Sequence, residues 1–185
     1  MIHSFSKHPL LRNAAMLMAL FAMLGTASAA PRFYGGASIN WTDIKLDKTH
    51  FNPTSGQLHV GGWLITNIGL ELRLNSEFSD DSAHGVITSL PRIVSAGLRF
   101  QSPEEWGLKA YLLFGGAIVT LDSDADDSGF PGRDDFDAGL ASVGFLAPLT
   151  ADRRFAVFLE ASRYFLSRDN DAPLTLGALG VQYEF

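Results

Sequence analysis

The sequence predicts an all-β fold, an eight-stranded antiparallel up-and-down barrel that crosses a membrane. Three observations indicate it: short segments alternate apolar with polar or small residues, the connections between them are alternately short and long, and an export signal precedes them. The alternation is clearest from Gly177 to Phe185, where the chain stops on an aromatic side chain. An apolar edge strand is a liability in a soluble protein. It is typical of a closing strand that faces lipid.

Residues 1–29 are predicted to be a secretory signal peptide. Lys7 and Arg12 precede an apolar run from Ala14 to Leu24, and the small residues Ala27-Ser28-Ala29 suit cleavage after Ala29. A permanent helical anchor is the alternative, but the run is too short for the roughly 20 apolar residues that a spanning helix needs. We therefore expect cleavage, export through the inner membrane and a single mature domain over residues 30–185.

Composition excludes several classes of function. The signal peptide contains two basic residues and no acidic ones, so the mature chain has 12 basic against 20 acidic residues, a formal charge of −8. This balance argues against a nucleic-acid partner, which needs clustered Lys and Arg. The chain has no cysteine, so disulfides cannot stabilise it. A closed sheet in which every backbone group is paired would supply that stability.

Eight segments carry the alternation. They are Phe33 to Trp41, Gln57 to Ile65, Ile68 to Phe78, Arg92 to Phe100, Leu108 to Leu121, Phe136 to Pro148, Phe155 to Leu166 and Leu174 to Phe185. In the third, Glu71 and Arg73 share one face while leucines share the other. In the fifth, Leu112 and Phe114 oppose Tyr111 and a run of smaller residues. We expect apolar side chains outside and polar or small ones inside, the reverse of a soluble lipocalin-like carrier.

The connections alternate in length. Three are short, namely Thr66-Asn67, Gln101 to Trp106 and Thr150 to Arg154. Four are longer and more polar, namely Thr42 to Gly56, Ser79 to Leu90, Asp122 to Asp135 and Ser167 to Pro173. This pattern predicts short periplasmic turns, long extracellular loops and both termini in the periplasm. Aromatic residues near the strand ends predict a girdle at each interface; they are Phe33, Phe100, Trp106, Phe155 and Phe185 at the periplasmic rim, with Trp41, Phe78 and Phe165 at the outer rim.

Three stretches support a family resemblance: Gly61-Gly62-Trp63-Leu64 leading through Thr66-Asn67 into Ile68 to Leu72, Lys109-Ala110-Tyr111, and Gly180 to Phe185. With them the mature chain resembles the OmpA/OmpX-like family of small eight-stranded outer-membrane barrels. The resemblance implies the outer membrane of a Gram-negative bacterium, with lipid and lipopolysaccharide around the barrel. It also implies insertion by the barrel assembly machinery, with Tyr183 and Phe185 as the assembly signal. It names no surface ligand.

The inward faces predict a polar network in the lumen. An eight-stranded barrel is only wide enough to hold its own side chains. Enclosed charges are costly unless they are paired, so acids and bases should meet. The candidates are Glu71, Arg73, Arg99, Lys109 and Glu160, with Gln182 and Glu184 near the last strand's end. Glu71, Arg73 and Arg99 are expected at its centre, and a narrow conducting pore is the alternative to a filled lumen.

One segment departs from the pattern. In Glu160-Ala161-Ser162-Arg163-Tyr164 the acid and the second base fall on opposite faces. Either Arg163 faces lipid and extends its charge toward the outer interface, or a β-bulge shifts the register of this strand.

The residues predict a structural or surface-interaction role rather than catalysis. The alternative is a lipid A-modifying enzyme, which needs a histidine close to a serine on a late strand and a carboxylate that orients it. The mature histidines are His50, His59 and His84, none of them on a late strand. We expect His59 to point into the lumen and the other two to lie in loops, where function would then reside.

No cofactor or metal is expected. The acidic run Asp122 to Gly129 has aspartates at alternate positions, as in a calcium loop. The EF-hand spacing fails, because Asp127 stands where glycine is required and Arg133 where the bidentate glutamate belongs. The run is interpreted as a solvated acidic loop, and divalent ions that bridge it to lipopolysaccharide phosphates are the alternative.

Overall fold

The computed structural model describes residues 32–46, 49–79, 81–83, 86–123, 134–166 and 173–185. The predicted signal peptide lies outside them and stays a prediction. The described strands are β1 (Phe33–Leu46), β2 (Thr49–Phe51), β3 (Thr54–Ile65), β4 (Ile68–Ser79), β5 (Asp81–Ala83), β6 (Val86–Gln101), β7 (Lys109–Ser123), β8 (Asp134–Pro148), β9 (Phe155–Leu166) and β10 (Pro173–Glu184).

Eight long strands close into one antiparallel barrel. Their order around the sheet is β1, β3, β4, β6, β7, β8, β9 and β10, and β10 pairs with β1 to close it. The two three-residue strands are additions, since β2 pairs with β1 and β5 with β6 beyond the barrel wall. The predicted fold class is confirmed. The closed path leaves none of the eight long strands as a free edge, which is the condition for a sheet in lipid.

The register fixes the stagger of the strands. A path of paired residues that starts at Tyr34 on β1 and crosses each long strand in turn returns to β1 at Ile44, ten residues further along. Because closure with such a stagger requires tilted strands, they incline by about 40° to the barrel axis. The resulting interior is narrow, so inward side chains from opposite walls touch.

The outer surface carries an apolar belt. Outward residues such as Ile39, Leu58, Phe114 and Leu159 are about half exposed. On β1 the belt runs from Phe33 to Trp41, which is about 20 Å along the axis at about 3.3 Å per residue and a tilt of about 40°. With side-chain length added, this height matches the apolar band of transmembrane barrels, about 25 Å.

In the part of the chain that the structure describes, no helix is long and apolar enough to span a membrane.

The two ends of the barrel differ as predicted. The short connections are a two-residue turn at Thr66-Asn67 and tight turns at 102–108 and 149–154. In the last of these, Thr150 Oγ1 donates to Asp152 Oδ1 over 2.6 Å, and the Arg154 N–H donates to the same oxygen. These bonds hold the pKa of Asp152 below its ordinary value. We call this the short-turn end and the opposite one the long-connection end.

The predicted loops at the long-connection end are shorter than expected. Much of their sequence is strand: β1 continues to Leu46, β6 begins at Val86 and β7 continues to Ser123. The prediction ended the strands where apolar alternation ends. Backbone pairing continues past that point because cross-strand hydrogen bonds do not require a lipid-facing side chain. The acidic residues 124–133 lie outside the described residues.

The register of β9 answers the question about Arg163. Every residue from Phe155 to Phe165 pairs in sequence with β10, and Ala156 to Leu166 pair in sequence with β8. No bulge interrupts β9, so the shifted-register alternative is wrong. Glu160 is buried in the lumen while Arg163 is exposed on the outer surface.

Candidate functional site

The half of the lumen toward the short-turn end holds a compact group of ionised side chains. Glu71 and Arg73 come from β4, Arg99 from β6 and Glu160 from β9, and each is at most 4% exposed. The structure brings these four predicted residues together as two acids and two bases. We call them the lumen network. Their formal charges cancel, which is the condition under which buried ions are tolerated.

Arg73 is the centre of the network because it contacts both acids. Its Nε donates to Glu71 Oε1 at 2.6 Å, while its two terminal nitrogens donate to the two oxygens of Glu160 at 2.5 and 2.7 Å. The second contact is bidentate, the geometry that a guanidinium makes best with a carboxylate. Since β4 and β9 lie on different walls, Arg73 ties the barrel together across its interior.

Arg99 completes the network from another wall. Its NH1 donates to Glu71 Oε2 at 2.8 Å and to Gln182 Oε1 at 2.9 Å. The guanidinium also stacks on aromatic rings, with Cζ 4.0 Å from the ring centre of Tyr111 and 4.8 Å from that of Tyr34. Stacking of this kind stabilises the planar face of a buried arginine. The interior position of Gln182 agrees with its predicted face.

Two tyrosines that the sequence reasoning did not select are part of the site. Tyr34 donates its hydroxyl to Glu71 Oε2 at 2.8 Å, and Tyr111 donates to Glu160 Oε2 at 2.6 Å. Each ring lies against a glycine: a Cβ at Gly61 would stand 2.2 Å from Tyr34, and one at Gly144 would stand 2.3 Å from Tyr111. The signal was present in the alternation, because both tyrosines occupy inward positions of their strands.

Lys109 and Glu184 are not part of this network. Lys109 is half-buried at the short-turn end, and among the described residues it makes no salt bridge or side-chain hydrogen bond. Glu184 pairs with Arg32 at the same rim. Both side chains stand at the mouth of the barrel rather than in its interior. Water can solvate them there, so they do not need the partners that Glu71 and Glu160 require.

His59 lies in the lumen, as its position in the alternation predicts. It is 6% exposed, and neither ring nitrogen has a hydrogen-bond partner among the described residues. The ring meets Phe158 edge-on, with 5.3 Å between centres, and Gly36 leaves the room for it. His59 therefore fills space in the site and does not orient any of its groups.

In the other half of the lumen, the inner faces of β6 to β10 contradict the rule of polar or small residues inside, whereas buried polar residues on β1, β3 and β4, such as Asn40, Ser55 and Asn75, follow it. Inward side chains of β6 to β10 form an apolar cluster toward the long-connection end; its buried members are Leu90, Ile93, Leu113, Ala117, Val119, Ala138, Leu140, Tyr164, Leu174 and Leu176. Smaller residues were expected on the inner face of β7, where Leu113 and Val119 lie. The rule assumes a wet interior, and a packed interior sealed from water accepts apolar side chains on both faces of a strand.

The predicted assembly signal lies on the outer face of the last strand. Tyr183 and Phe185 are 39% and 70% exposed, and their rings meet edge-on with 5.2 Å between centres. The Phe185 N–H donates to the carbonyl of Phe33, so the terminal residue is tied to β1 where the barrel closes. Any role in assembly stays a prediction.

No metal site is present among the described residues. No group of three His, Asp or Glu side chains there has the spacing of a metal site. His84 is outside the described residues, and nothing is described of the side chain of His50 on β2.

No protein-family profile and no curated protein matches the sequence. Solved structures match the fold. Neisserial surface protein A matches with a TM-score of 0.63 at 12% identity, over 83% of this chain and 97% of that one. Ail, the attachment invasion locus protein of Yersinia pestis, in complex with the heparin analogue sucrose octasulfate, matches with a TM-score of 0.61 at 14% identity, over 85% and 100%.

The N-terminal β-barrel domain of OprF from Pseudomonas aeruginosa is also similar, with a TM-score of 0.55 at 14% identity, over 81% of this chain and 97% of that one. At these identities the likeness concerns the fold. The closed eight-stranded sheet, its apolar belt and these matches agree. The chain has the fold of small eight-stranded transmembrane β-barrels, the fold that its resemblance to the OmpA/OmpX-like family implies.

Proposed function

We propose that this chain is a non-enzymatic outer-membrane barrel whose filled lumen serves as a rigid scaffold and whose long connections contact molecules at the cell surface. The observation that carries the proposal is the lumen itself. The lumen network fills one half, and the apolar cluster fills the other together with buried polar side chains of β1, β3 and β4; each charged member of the network is at most 4% exposed. In a barrel filled in this way, the inward side chains pack against one another. The residues that can contact other molecules are therefore those of the connections.

By sequence, most of the negative charge of the predicted mature domain falls in the segments that join strands at one end. The short-turn end has four acidic and four basic residues, and the lumen network has two of each, so both regions are neutral. The long-connection end, residues 43–54, 77–92, 121–137 and 163–175, holds the remaining fourteen acidic and six basic residues. The whole formal charge of −8 therefore belongs to the end that we propose faces outside.

This charge favours a cationic partner at the cell surface. Ail of Yersinia pestis is described in complex with a heparin analogue, a polyanion. A polyanion would be repelled by an extracellular end with a charge of −8, whereas a basic protein surface or peptide would be attracted to it. We propose that the partner of this chain carries clustered Lys or Arg.

Binding to charged polymers tests the proposal. The refolded barrel in lipid nanodiscs should bind immobilised polylysine and pass over immobilised heparin, and the polylysine binding should weaken as salt increases. Replacing Asp124, Asp126 and Asp127 with asparagine should weaken it. The matched control neutralises three carboxylates at the opposite end and should leave polylysine binding unchanged. Its substitutions are Glu104→Gln, Glu105→Gln and Asp152→Asn. Retention on heparin, or equal losses for the two triple variants, would contradict a cationic partner.

The enzymatic alternative has its own test. If the chain modified lipid A, overexpression would add or remove an acyl chain, and His50→Ala or His84→Ala would abolish the change. We expect the lipid A mass spectrum to stay the same, because the late strands offer no histidine to activate a nucleophile. An altered spectrum that depends on either histidine would replace the proposed function with an acyl-transfer or deacylation activity.

A further inference from the structure

The mouth of the lumen at the short-turn end contains hydrogen-bond donors that the lumen network does not use. The indole Nε1 of Trp63 and the Nε of Arg99 are buried, and neither has a hydrogen-bond partner in the part of the chain that the structure describes. The side chains of Trp63 and Lys109 are partly exposed, so solutes reach this level of the lumen. Buried donors are rarely left without an acceptor, which points to an acceptor from outside the chain.

These donors lie on one arc of the mouth. Trp63 on β3 pairs with Gly69 on β4, and Gly69 pairs with Arg99 on β6. An added Cβ at Gly69 would stand 3.2 Å from the Trp63 ring, so the ring lies over this glycine, and its centre is 5.9 Å from Arg99 Cζ. Lys109 is the inward residue of β7 that lies two positions nearer the rim than Tyr111, whose ring centre is 4.0 Å from Arg99 Cζ. The arc therefore runs over four neighbouring strands, from β3 to β7.

One edge of the Arg99 guanidinium is turned toward the rim. Its Nη1 donates to Glu71 and Gln182 in the interior. Its Nη2 donates to Gln101 Oε1 over 3.3 Å, slightly longer than the usual range, and Gln101 lies two positions nearer the rim on β6. Nη2 and the unpartnered Nε form an edge of the kind that binds a carboxylate by two parallel hydrogen bonds. This edge is nearly free.

The charge of the mouth is positive. Three basic residues at the short-turn end pair with acids; the pairs are Arg32 with Glu184, Arg153 with Glu104 and Arg154 with Asp152. The charges of the lumen network cancel. Lys109 makes no salt bridge to any residue that the structure describes, and Glu105, which also makes none there, is exposed on the turn. Lys109 therefore gives the mouth one uncompensated positive charge beside the unused donors.

We infer that this mouth binds a carboxylate group, and we call Trp63, Arg99 and Lys109 the mouth site. The Nε and Nη2 of Arg99 donate to the two carboxylate oxygens, the indole N–H of Trp63 donates to one of them, and the Lys109 ammonium supplies the counter-charge. A single negative charge balances Lys109, and two oxygens match the guanidinium edge. A phosphate dianion would instead leave a net negative charge near buried Glu71. The carboxylate belongs to a small organic acid or to the C-terminus of a peptide.

The indole N–H signals in NMR spectra of the isotope-labelled barrel in lipid nanodiscs report binding directly. The chain has three tryptophans, so the Trp63 signal is compared with two internal controls. Acetate should move the Trp63 signal to higher proton frequency until it saturates, because a carboxylate oxygen accepts from Nε1. Trp41 and Trp106 lie on the outer surface and on a turn tip, so their signals should stay in place. A Trp63 signal that does not respond would overturn the inference.

Charge variants test the counter-ion. Lys109→Gln should weaken acetate binding about tenfold, the loss expected for one charge-assisted contact. Lys109→Arg should retain most of it, because charge and donors persist. Arg154→Gln is the matched control, since it removes the same charge from an exposed side chain at the same end and should leave binding unchanged. Equal losses for Lys109→Gln and Arg154→Gln would refute a local site.

Donor variants test the hydrogen bond. Trp63→Phe keeps an aromatic ring and removes the N–H, so it should weaken binding severalfold, measured by saturation transfer to the acetate methyl group. Trp106→Phe is the control and should have no effect. Both variants are compared in chains whose gel mobility shift shows a folded barrel. Undiminished binding with Trp63→Phe would contradict the role of the indole.

Two forms of one peptide distinguish the sources of the carboxylate. Acetyl-alanyl-alanine should bind and its C-terminal amide should not. Tighter binding of the peptide acid than of acetate assigns the site to a peptide C-terminus, and equal binding assigns it to the carboxylate of small acids. Equal binding of the amide, or complete displacement of acetate by the same concentration of chloride, would refute a carboxylate site. The assay needs no surface partner, so its failure leaves the proposed binding of a cationic partner untouched.

Discussion

Replacing Arg73 with alanine tests whether the lumen network holds the barrel together. Arg73 donates one hydrogen bond to Glu71 and two to Glu160. Its loss leaves two buried carboxylates and one buried guanidinium, that of Arg99, so the lumen acquires an uncompensated negative charge. Breaking a buried pair by removing one partner costs about 3–5 kcal/mol.

Contacts that remain after the substitution limit the loss of unfolding free energy. Three bonds to charged groups at about 1.5–3 kcal/mol each would total about 4.5–9 kcal/mol if they were additive. Tyr111 and Ser162 still donate to Glu160 after the substitution, and Tyr34 and Arg99 still donate to Glu71. These remaining donors stabilise the two acids in part. We therefore expect a destabilisation of about 3–5 kcal/mol rather than the sum.

The assay is urea unfolding of the refolded barrel in lipid vesicles, followed by gel mobility and tryptophan fluorescence. Arg163→Ala is the control, because it removes the same side chain from the outer face and should cost at most about 1 kcal/mol near the interface. Arg73→Met combined with Glu160→Gln removes one charge of each sign and should recover much of the loss. An unfolding free energy for Arg73→Ala equal to that of Arg163→Ala would refute the network as a source of stability.

Other expectations follow from packing, the terminus and the lumen. Gly144→Ala should destabilise the barrel by about 1–3 kcal/mol, because the new Cβ would displace the Tyr111 ring. Gly177→Ala is the control, because an added Cβ there meets open space, and it should be nearly neutral in the same urea titration. Equal effects of the two substitutions would contradict the position of the Tyr111 ring. Phe185→Asp should lower outer-membrane levels far more than Glu184→Ala, since it places a charge on the lipid face; similar levels on immunoblots would contradict the predicted assembly signal. The mature chain should migrate differently on detergent gels before and after boiling, and recovery as a soluble periplasmic monomer would refute the barrel's location. The purified wild type should show little conductance in planar bilayers because its lumen is filled, whereas steady large currents would favour the pore.

The sequence determined the architecture because the period of side chains along a strand is two. Once one face of a strand such as Ile68–Ser79 is assigned to lipid, every second residue is assigned to the lumen. The membrane makes this assignment strict, since a charged side chain on the lipid face is costly. The order of short and long connections then fixes an up-and-down barrel. These are local properties of the chain. They were enough to predict, without a structure, that Glu71, Arg73 and Arg99 point into the lumen.

Which inward residues meet was decided by the tertiary structure. Arg73 and Glu160 are 87 residues apart in sequence. Their contact depends on the stagger of the strands, by which the path of paired residues that starts at Tyr34 returns to β1 at Ile44. Alternation carries no information about stagger, so it could not separate Lys109 at the rim from Arg99 in the interior. For the same reason the tyrosine donors were missed.

The apolar cluster shows the same division. The alternation of the sequence identified which side chains point inward, but it could not show whether the interior at a given level holds water. Leu113 and Val119 are inward and buried because the opposite wall closes over them. Whether an inward side chain can be apolar depends on which side chains face it across the narrow lumen. Those neighbours are defined only once the sheet has closed.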